Sequence, residues 1–391
     1  VACMTRTIGV VTTSRSDYGI YRPLLRAIQA DPDLRPMLFV GGMHLSPDFG
    51  QTVREIERDN FPIAERVTIP LDSDTPEGMS RAMGSAVTGF AQAYVRSRPD
   101  ILLVLGDRFE MFAAAAAALP FTIPIGHLHG GEATYGAIDE SFRHAITKMS
   151  HLHFTSTKTY ADRLVRMGEE PWRVTVSGAP ALDDLRALPS PDAAAFEKIH
   201  GVRVSPKPLL VTFHPVTLEL EQTGRQVEEL LAALDQVGMP VIFTQPNADA
   251  GGRLIRDRIA KYVASRKDAW CVASFGSQTY WDALRLCAAM VGNSSSGIIE
   301  APSLGLPVVN IGTRQDGRVR VANVIDVICE RGHIQEAIAR AVSPEFRASL
   351  HGMVNPYGDG HAAERIVAKL KSVELGDKLL RKIFHDDGAA R

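Results

Sequence analysis

Short apolar runs alternate with segments of helical periodicity along almost the whole chain, and this alternation restricts the possible folds more than any other feature. A short continuous apolar run is typical of a strand that is buried on both faces. Strands that alternate with helices form parallel sheets with right-handed crossovers, so the loops after the strands share one edge of the sheet. We therefore predict an α/β fold with strands near residues 8–12, 37–40, 101–105, 123–125, 152–155, 174–176, 209–213, 241–244, 269–272, 288–291 and 308–311.

The length of 391 residues and a change in composition predict two domains. Proline-rich stretches at 188–192 and 204–208 flank a short helical piece and mark the boundary. We predict two Rossmann-like, doubly wound domains that face each other across a cleft, with the ligand beyond the carboxyl ends of the strands. The predicted extents are 1–185 for the N-terminal domain, 186–365 for the C-terminal domain, and 366–391 for a helical tail that packs on the N-terminal domain.

Composition and charge exclude several classes of protein. With 45% hydrophobic residues, 23% charged residues and a net charge of −2, the chain is typical of a soluble globular protein and offers no basic surface to nucleic acid. The apolar run at 111–120 is too short to span a membrane, and the N-terminus lacks a signal pattern, so we predict a cytoplasmic protein. We also predict no cofactor and no metal, because neither the histidines nor the cysteines have metal-ligand spacing; reduced thiols are expected for Cys3, Cys271, Cys287 and Cys329.

The segment from Val291 to Gly312 has the pattern expected of a phosphate-binding turn. A strand is followed by small polar residues and then by an apolar helix, so backbone N–H groups, hydroxyl groups and the positive end of a helix dipole meet at one place. The alternative is an ordinary helix N-cap without a ligand, since serine and asparagine are favoured there. The candidates for phosphate and ribose binding are Asn293, Ser294, Ser295, Ser296, Gly297, Glu300 and Arg314.

Acid and histidine side chains are grouped after the predicted strands at 101–105 and 123–125. Proton transfer at neutral pH needs paired groups whose environments separate their pKa values. Each candidate has a structural alternative, because acids are favoured at helix starts by the dipole alone. Gly130 and Gly131 lead into Glu132, where the backbone can approach a ligand closely. The candidates for proton transfer are Asp107, His129, Glu132, Asp139, Glu140 and His144.

Polar motifs follow the predicted strands in one order: Thr13-Ser-Arg-Ser-Asp-Tyr18, Leu105-Gly-Asp-Arg-Phe109, His127-Leu-His-Gly-Gly-Glu132, Asp139-Glu-Ser-Phe-Arg-His144, Phe213-His-Pro-Val-Thr217, Asn247-Ala-Asp249, Gly292-Asn-Ser-Ser-Ser-Gly297 and Gly312-Thr-Arg314. Each motif alone is weak, but the ordered set resembles the UDP-N-acetylglucosamine 2-epimerase family, most closely its hydrolysing branch from sialic and legionaminic acid synthesis, over residues 7–370. The resemblance implies a GT-B-like pair of domains. It also implies conversion of a UDP-linked 2-acetamido sugar and water into UDP and the free C2-inverted sugar.

The resemblance implies roles for individual residues as well. Many relatives carry glutamate where this chain has His129, so either another acid is the base or His129 itself transfers the proton. The resemblance assigns UDP binding to Arg15, His214, Asn247, Asp249, Ser294, Ser295, Glu300 and Arg314. Catalytic candidates are Asp107, His129, Glu132, Asp139 and His214. Further candidates for substrate binding, some of which can equally be packed inside a domain, are Asp17, His44, Arg108, Arg143 and His144.

The implied chemistry depends on the leaving group. No carbonyl acidifies the C2 proton, so the C1–O bond to UDP must break as that proton is lost, and donors around the phosphates would stabilise the departing charge. The glycal formed in this way is then hydrated. Two other enzymes fit the same pattern, a non-hydrolysing 2-epimerase and a GT-B glycosyltransferase, and a binding protein without chemistry is a third alternative. The sugar (N-acetylglucosamine or a 2,4-diacetamido-6-deoxy analogue), the nucleotide (UDP or GDP) and the assembly (homodimer or homotetramer) stay open.

Overall fold

The computed structural model describes residues 5–47, 50–73, 75–135, 138–246, 251–273 and 275–386. The chain divides into two compact units. Unit 1 consists of Val1–Glu132, Asp139–Arg186 and Tyr357–Arg391, and unit 2 consists of Ala133–Ile138 and Ala187–Pro356. After Arg186 the chain therefore continues in unit 2, and from Tyr357 to its end it belongs to unit 1 again.

Unit 1 is built on a seven-stranded sheet with the order β3-β2-β1-β4-β5-β6-β7, in which every pair of neighbours is parallel. Its strands are β1 (Arg6–Thr12), β2 (Leu34–Gly41), β3 (Ile63–Val67), β4 (Ile101–Leu105), β5 (Ile125–Leu128), β6 (Leu152–Thr155) and β7 (Val174–Val176). The helices between them are α1 (Arg15–Ala30), α2 (Val53–Arg58), α3 (Pro76–Arg96), α4 (Phe109–Ala118), α5 (Asp139–Met149) and α6 (Lys158–Arg166).

Unit 2 repeats this architecture with a six-stranded parallel sheet in the order β10-β9-β8-β11-β12-β13. Its strands are β8 (Leu209–Thr212), β9 (Val241–Thr244), β10 (Ala269–Val272), β11 (Ala289–Gly292), β12 (Val308–Ile311) and β13 (Val324–Val327). Its helices are α7 (Ala193–His200), α8 (Thr223–Val237), α9 (Gly252–Ala264), α10 (Ser277–Leu286), α11 (Ser296–Ile299), α12 (Arg331–Val342) and α13 (Pro344–Ser349), and the chain ends in unit 1 with α14 (Ala362–Ser372) and α15 (Asp377–Leu380).

Apolar side chains on both faces hold each sheet between helices. Every residue of β4, β8 and β11 is buried, as expected for central strands of a parallel sheet. The alanines of α4 let it lie close to α3 and to the sheet. On the other face of unit 1, Ile366 and Leu370 of α14 join the same buried cluster as Leu24 and Leu25 of α1, so the C-terminal helix is part of this core.

The predicted fold class is confirmed, and the differences from the predicted elements have local causes. Strand β5 begins at Ile125 and runs on to Leu128, later than predicted, because Pro124 has no N–H group to give to the sheet. Strands β3 and β13 were not predicted from the sequence. Each lies at the edge of its sheet and mixes exposed polar residues with buried ones, so neither has a continuous apolar run.

Two further findings concern the whole of the described chain. Cys271, Cys287 and Cys329 are free thiols, and Cys3 lies outside the described residues. Within those residues, each helix is too short or too polar to cross a membrane.

Candidate active site

In unit 1, the polar residues predicted to be functional follow strands that are neighbours in the sheet. The strands β2, β1, β4, β5 and β6 lie side by side in that order. Because all of them are parallel, the loops that leave them lie at one edge of the sheet, where open α/β sheets bind ligands. This edge carries His44 after β2, Asp17 after β1, Asp107 after β4 and His129 after β5.

Asp107 is held by a buried arginine. Its carboxylate forms an ion pair with Arg143 of α5, which is 2% exposed, while the Asp107 side chain itself is 23% exposed. The Nη1 atom of Arg143 also donates a 3.0 Å hydrogen bond to the backbone oxygen of His129. Arg143 therefore joins the loops after β4 and β5 from within unit 1. Its contacts indicate a structural role, and the predicted contact with substrate stays a prediction.

His129 lies next to a carboxylate that is almost completely buried. The Nδ1 atom of His129 is 2.6 Å from Oε1 of Glu132, which is 1% exposed. The hydroxyl group of Ser156, directly after β6, donates a 2.9 Å hydrogen bond to the same Oε1 atom. An imidazole and two oxygen-bearing side chains thus form a connected group at the carboxyl ends of β5 and β6.

The two glycines before Glu132 serve packing within unit 1. A Cβ atom on Gly130 would lie 2.9 Å from Nδ1 of His127, and one on Gly131 would lie 2.5 Å from the backbone oxygen of Tyr160. Gly131 also has a φ of +77°, which favours glycine. Protein atoms therefore occupy the space that a side chain would need at both positions, and the predicted close approach of this backbone to a ligand stays a prediction.

Asp17 and His44 have structural partners. Asp17 is the N3 residue of a capping box at the start of α1, and its Oδ2 accepts hydrogen bonds from the backbone N–H groups of Thr13 and Ser14 at 3.1 and 2.9 Å. His44 is completely buried, with its ring nitrogens 2.9 Å from the Thr12 hydroxyl and 2.7 Å from the Thr52 hydroxyl. Burial raises the pKa of Asp17 to about 6 and lowers that of His44 to about 4. These contacts account for both residues without a ligand.

The other candidates in unit 1 lie around this edge. The Arg108 guanidinium is paired with Glu110, whose side chain is fully buried, at 2.9 Å. The Nε2 atom of His144 is 3.0 Å from Oε1 of Glu140, one helical turn earlier in α5. Asp139 is the first residue of α5, as predicted. Arg15 is the first residue of α1, and its side chain is exposed.

In unit 2, the side chain of Asn293 joins the loop after β11 to the loop after β8 through hydrogen bonds. Its Oδ1 accepts a 2.7 Å hydrogen bond from the backbone N–H of His214, and its Nδ2 donates a 2.8 Å hydrogen bond to the backbone oxygen of His214. Arg314 and Gln315, which follow β12, donate to the backbone oxygen of Asn293 at 3.2 and 2.8 Å. Since β8, β11 and β12 are adjacent, these bonds gather the three loops at one edge of the second sheet. Asn293 thus has a structural role, and its predicted contact with a ligand stays a prediction.

The serine cluster is only partly explained by helix capping. Ser295 is the N-cap residue of α11, yet its side chain makes no capping hydrogen bond. The Ser294 hydroxyl accepts a 3.3 Å hydrogen bond from the N–H of Ser296. The α-helix that follows, α11, is only four residues long. A 3₁₀ turn, Ala301–Leu304, comes after it and contains Pro302. The predicted helix dipole is therefore corrected: so short a helix has too few aligned peptide groups, and side chains and backbone N–H groups remain as donors.

Glu300 is positioned by its neighbours. One carboxylate oxygen accepts a hydrogen bond from the Ser296 hydroxyl, which in turn accepts a 2.9 Å hydrogen bond from the Tyr280 hydroxyl. Gly297 lies directly against β12, because a Cβ atom there would be 2.8 Å from Val308. Ser296 and Gly297 thus support Glu300 and the packing of α11, and any contact of theirs with a ligand stays a prediction.

Two predicted residues, Asn247 and Asp249, lie outside the described residues. In the part of the chain that the structure describes, no three His, Cys, Asp or Glu side chains are grouped as a metal ion would require.

The arrangement in unit 1 suits proton transfer, and that in unit 2 suits an anion. A family described as UDP-N-acetylglucosamine 2-epimerase matches residues 26–371, which is most of the chain. The chain belongs to the UDP-N-acetylglucosamine 2-epimerase family. The family predicted from the motifs is therefore confirmed.

Two relatives match this chain over nearly its full length. The "UDP-N,N'-diacetylbacillosamine 2-epimerase (hydrolyzing)" of Legionella pneumophila is 38% identical over 380 residues, which are 97% of this chain and 99% of that protein. The "GDP/UDP-N,N'-diacetylbacillosamine 2-epimerase (hydrolyzing)" of Campylobacter jejuni is 38% identical over 384 residues, again 97% and 99%. The predictions of an enzyme and of the hydrolysing branch are confirmed.

A solved structure supports the fold. The UDP-GlcNAc 2-epimerase from Neisseria meningitidis, bound to UDP-GlcNAc, superimposes with a TM-score of 0.80 at 18% identity, over 94% of this chain and 100% of that chain. At this identity the likeness shows the fold, and it confirms the GT-B-like class predicted for this member of the 2-epimerase family.

The residues of the candidate site that were not found from the sequence include Ser156, Glu110 and Tyr280. Ser156 directly follows β6, so the rule that polar residues after strands form the site would have found it. Glu110 directly follows the motif Leu105–Phe109, but its complete burial beside Arg108 was not visible from the sequence. Tyr280 lies on α10, away from every strand end, and no sequence signal connects it to Ser296.

Proposed function

We propose that this chain converts a UDP-linked 2-acetamido sugar and water into UDP and the free C2-inverted sugar. The observation that carries the proposal is the cluster at the carboxyl edge of unit 1. There a partly exposed carboxylate, Asp107, is held by a buried arginine, next to an imidazole, His129, that is held by a buried carboxylate, Glu132. Such paired groups suit proton transfer on two faces of a sugar ring.

We assign nucleotide binding to unit 2 and proton transfer to unit 1. The domain extents 1–185, 186–365 and 366–391, predicted from the sequence, remain part of this proposal. The donors proposed for the diphosphate are Ser294, Ser295, Arg314 and His214, and Glu300 is proposed for the ribose hydroxyls. Asn247 and Asp249 are assigned to the same side by family resemblance. Asp107, His129, Glu132 and Asp139 are the proposed catalytic set, within which one group removes the C2 proton and another returns a proton to the opposite face.

The order of bond breaking follows from the substrate. The C2 proton becomes acidic enough for a side chain only as the C1–O bond to UDP breaks, so the donors around the phosphates carry much of the rate enhancement. Loss of a single donor of this kind typically costs about 3 kcal/mol, or roughly a hundredfold in rate. Elimination gives a glycal, and addition of water with protonation of C2 from the other face gives the free epimer.

For the sugar, we propose a UDP-linked 2,4-diacetamido-6-deoxy hexose, of the kind that leads to legionaminic-type acids, in preference to N-acetylglucosamine. Both relatives are named for N,N'-diacetylbacillosamine, which is such a sugar. One of them is named for GDP as well as UDP. A panel of UDP- and GDP-linked 2-acetamido sugars, assayed for nucleotide release, distinguishes these substrates.

A homodimer or homotetramer and a cytoplasmic location also stay predictions.

Reaction in deuterated water is the test of this function. We expect free UDP to form in step with free sugar, and we expect the sugar to carry one solvent deuterium at C2, because C2 loses its own hydrogen and is protonated from solvent. Proton NMR of the product and chromatography of the nucleotide measure both. A product without deuterium at C2 would contradict elimination, and a UDP-linked epimer without free UDP would identify a non-hydrolysing enzyme.

Replacing Glu300 by alanine is expected to weaken UDP binding about 10- to 100-fold, since hydrogen bonds to a charged group contribute roughly 1.5–3 kcal/mol. Calorimetric titration with UDP measures the change. Glu336→Ala, at an exposed position on α12 of the same unit, is the matched control and is expected to leave the affinity within about twofold. Equal affinities for Glu300→Ala and the control would remove Glu300 from the nucleotide site.

A further inference from the structure

We propose that His129 is the base that removes the C2 proton, and that Glu132 and Ser156 act through it as positioning residues. This inference rests on the function proposed above. It decides between the two interpretations that the His129 motif leaves open, transfer by the histidine or by another acid. It also gives Ser156 a role in the reaction.

The contacts of Glu132 determine which nitrogen of His129 carries the proton. Nδ1 lies 2.6 Å from Glu132 Oε1, and that oxygen also accepts the Ser156 hydroxyl hydrogen at 2.9 Å. An ionised Glu132 can only accept hydrogen bonds, so in that state the hydrogen between the two side chains is carried by Nδ1. In the neutral ring, Nε2 then carries the lone pair, which is the form a base requires.

The backbone holds His129 in an unusual conformation. Its φ of +61° is in the left-handed region, which costs a non-glycine residue about 1–2 kcal/mol. The conformation is maintained from two sides, because the N–H of His129 donates to the backbone oxygen of Phe154 at 3.0 Å and its oxygen accepts from Arg143 at 3.0 Å. Strained residues that are held so firmly concentrate at functional sites.

The Nε2 atom of His129 is buried and, among the described residues, has no hydrogen-bond partner. The residue is only 7% exposed. No described protein atom competes for this nitrogen, and it lies at the edge where open α/β sheets bind ligands, so a substrate atom can be its partner. His44, on the same edge, offers the contrast, since both of its ring nitrogens are within hydrogen-bond distance of threonine hydroxyls.

Glu132 is less suited to be the base itself. Its residue is 1% exposed, and Oε1 is occupied by two donors from within unit 1. Its position is that of the carboxylate that orients an imidazole and stabilises the imidazolium in hydrolase triads. Ser156 fixes the carboxylate in turn.

In the proposed step, Nε2 forms a bond to the C2 hydrogen. The electrons of the C2–H bond become the C1–C2 double bond, and the electron pair of the C1–O bond leaves with UDP. Glu132 then faces an imidazolium cation. Water adds its hydroxyl to C1 while a second acid gives a proton to C2 from the opposite face. The proton that water loses restores this acid, and the proton on His129 leaves to solvent.

A double-mutant cycle tests whether Glu132 and Ser156 act through His129. His129→Ala is expected to lower kcat for UDP release at least about 100-fold, as for loss of a general base. Glu132→Gln is expected to lower kcat about 10- to 1000-fold with KM changed less than about threefold, and Ser156→Ala about 3- to 10-fold, because both leave the binding groups intact. In the His129→Ala background, each second substitution is expected to change kcat less than about threefold, since groups that act as one unit are not additive.

Controls keep the outcomes separate. Ser150→Ala removes another buried serine of unit 1, whose hydroxyl donates to the Ile146 backbone oxygen, and is expected to leave kcat within about twofold. Should His129→Ala not fold, His129→Gln replaces it in the cycle. If Glu132→Gln costs as much with His129 absent as with it present, Glu132 acts independently and the inference is overturned. A wild-type protein that releases no UDP overturns the proposed function as well, so the two failures are distinguishable.

Discussion

Replacing Gly292 by alanine is expected to destabilise unit 2 by roughly 4 kcal/mol and to abolish nucleotide binding. Gly292 ends β11 with a φ of +134°, and a Cβ atom there would lie 1.9 Å from the backbone oxygen of Thr212 on β8. No real Cβ atom approaches an oxygen so closely, so β8 and β11 would have to separate. Left-handed strain and overpacking each contribute about 1–3 kcal/mol.

Separation of β8 and β11 would also displace residues of the candidate nucleotide site. The N–H of Asn293 donates to the same Thr212 oxygen at 3.1 Å, and the Asn293 side chain holds the backbone of His214. The urea midpoint of unfolding and UDP titration measure the two effects. Gly305→Ala is the control in the same unit: Gly305 also has a positive φ, +58°, but no atom lies within 4 Å of its Cβ position, so only about 1–2 kcal/mol is expected. Equal losses for the two substitutions would show that the contact with Thr212 is unimportant.

Replacing Glu169 by glutamine is expected to destabilise unit 1 by about 3 kcal/mol. The Glu169 side chain is fully buried, with Lys148 and Lys382 each 2.7 Å from its carboxylate and His153 Nε2 2.9 Å from it. Removing the charge leaves two ammonium groups without their anion, one of them only 19% exposed. Lys382 also donates to the backbone oxygen of Lys148 at 3.0 Å, so the cluster attaches the C-terminal segment to the end of α5.

The same carboxylate predicts a dependence of stability on pH. Burial raises the pKa of Glu169, but hydrogen bonds from His153, Lys148 and Lys382 outweigh burial and hold it at about 2, below the usual 4.5. The folded protein therefore binds fewer protons, and the stability that Glu169 contributes is fully present above pH 4.5 and is lost as the pH falls towards 2. The shift corresponds to roughly 3 kcal/mol.

Urea denaturation of wild type and Glu169→Gln between pH 7 and pH 2.5 measures this contribution. The difference in unfolding free energy is expected to shrink below about pH 4.5, because glutamine does not titrate. Asp162→Asn, which breaks the exposed pair between Asp162 and Lys158, is the control and is expected to cost less than about 1 kcal/mol. A difference that stays constant with pH would contradict the assignment of the stabilising charge to Glu169.

The sequence by itself determined the architecture. Strands buried on both faces require continuous apolar runs, and several, such as β4, β9 and β12, begin and end where those runs do. Alternation with helices then dictated parallel sheets, and polar motifs directly after the strands identified the family and predicted which edge of each sheet is functional. Edge strands such as β3 were not predicted, because a strand that is partly exposed needs no continuous apolar run.

Only the tertiary structure decided which of these polar residues are partners. Glu132 and Ser156 are 24 positions apart in the chain, and His214 and Asn293 are 79 apart. They meet because β5 lies beside β6 and β8 lies beside β11, an order that results from packing the whole sheet. Hydrogen bonding likewise separated Asp17 and His44, which are paired with groups of unit 1, from His129, whose Nε2 has no protein partner among the described residues. Composition and spacing state which groups are present, whereas hydrogen bonding and exclusion from water depend on atoms from distant segments that only the folded chain brings together.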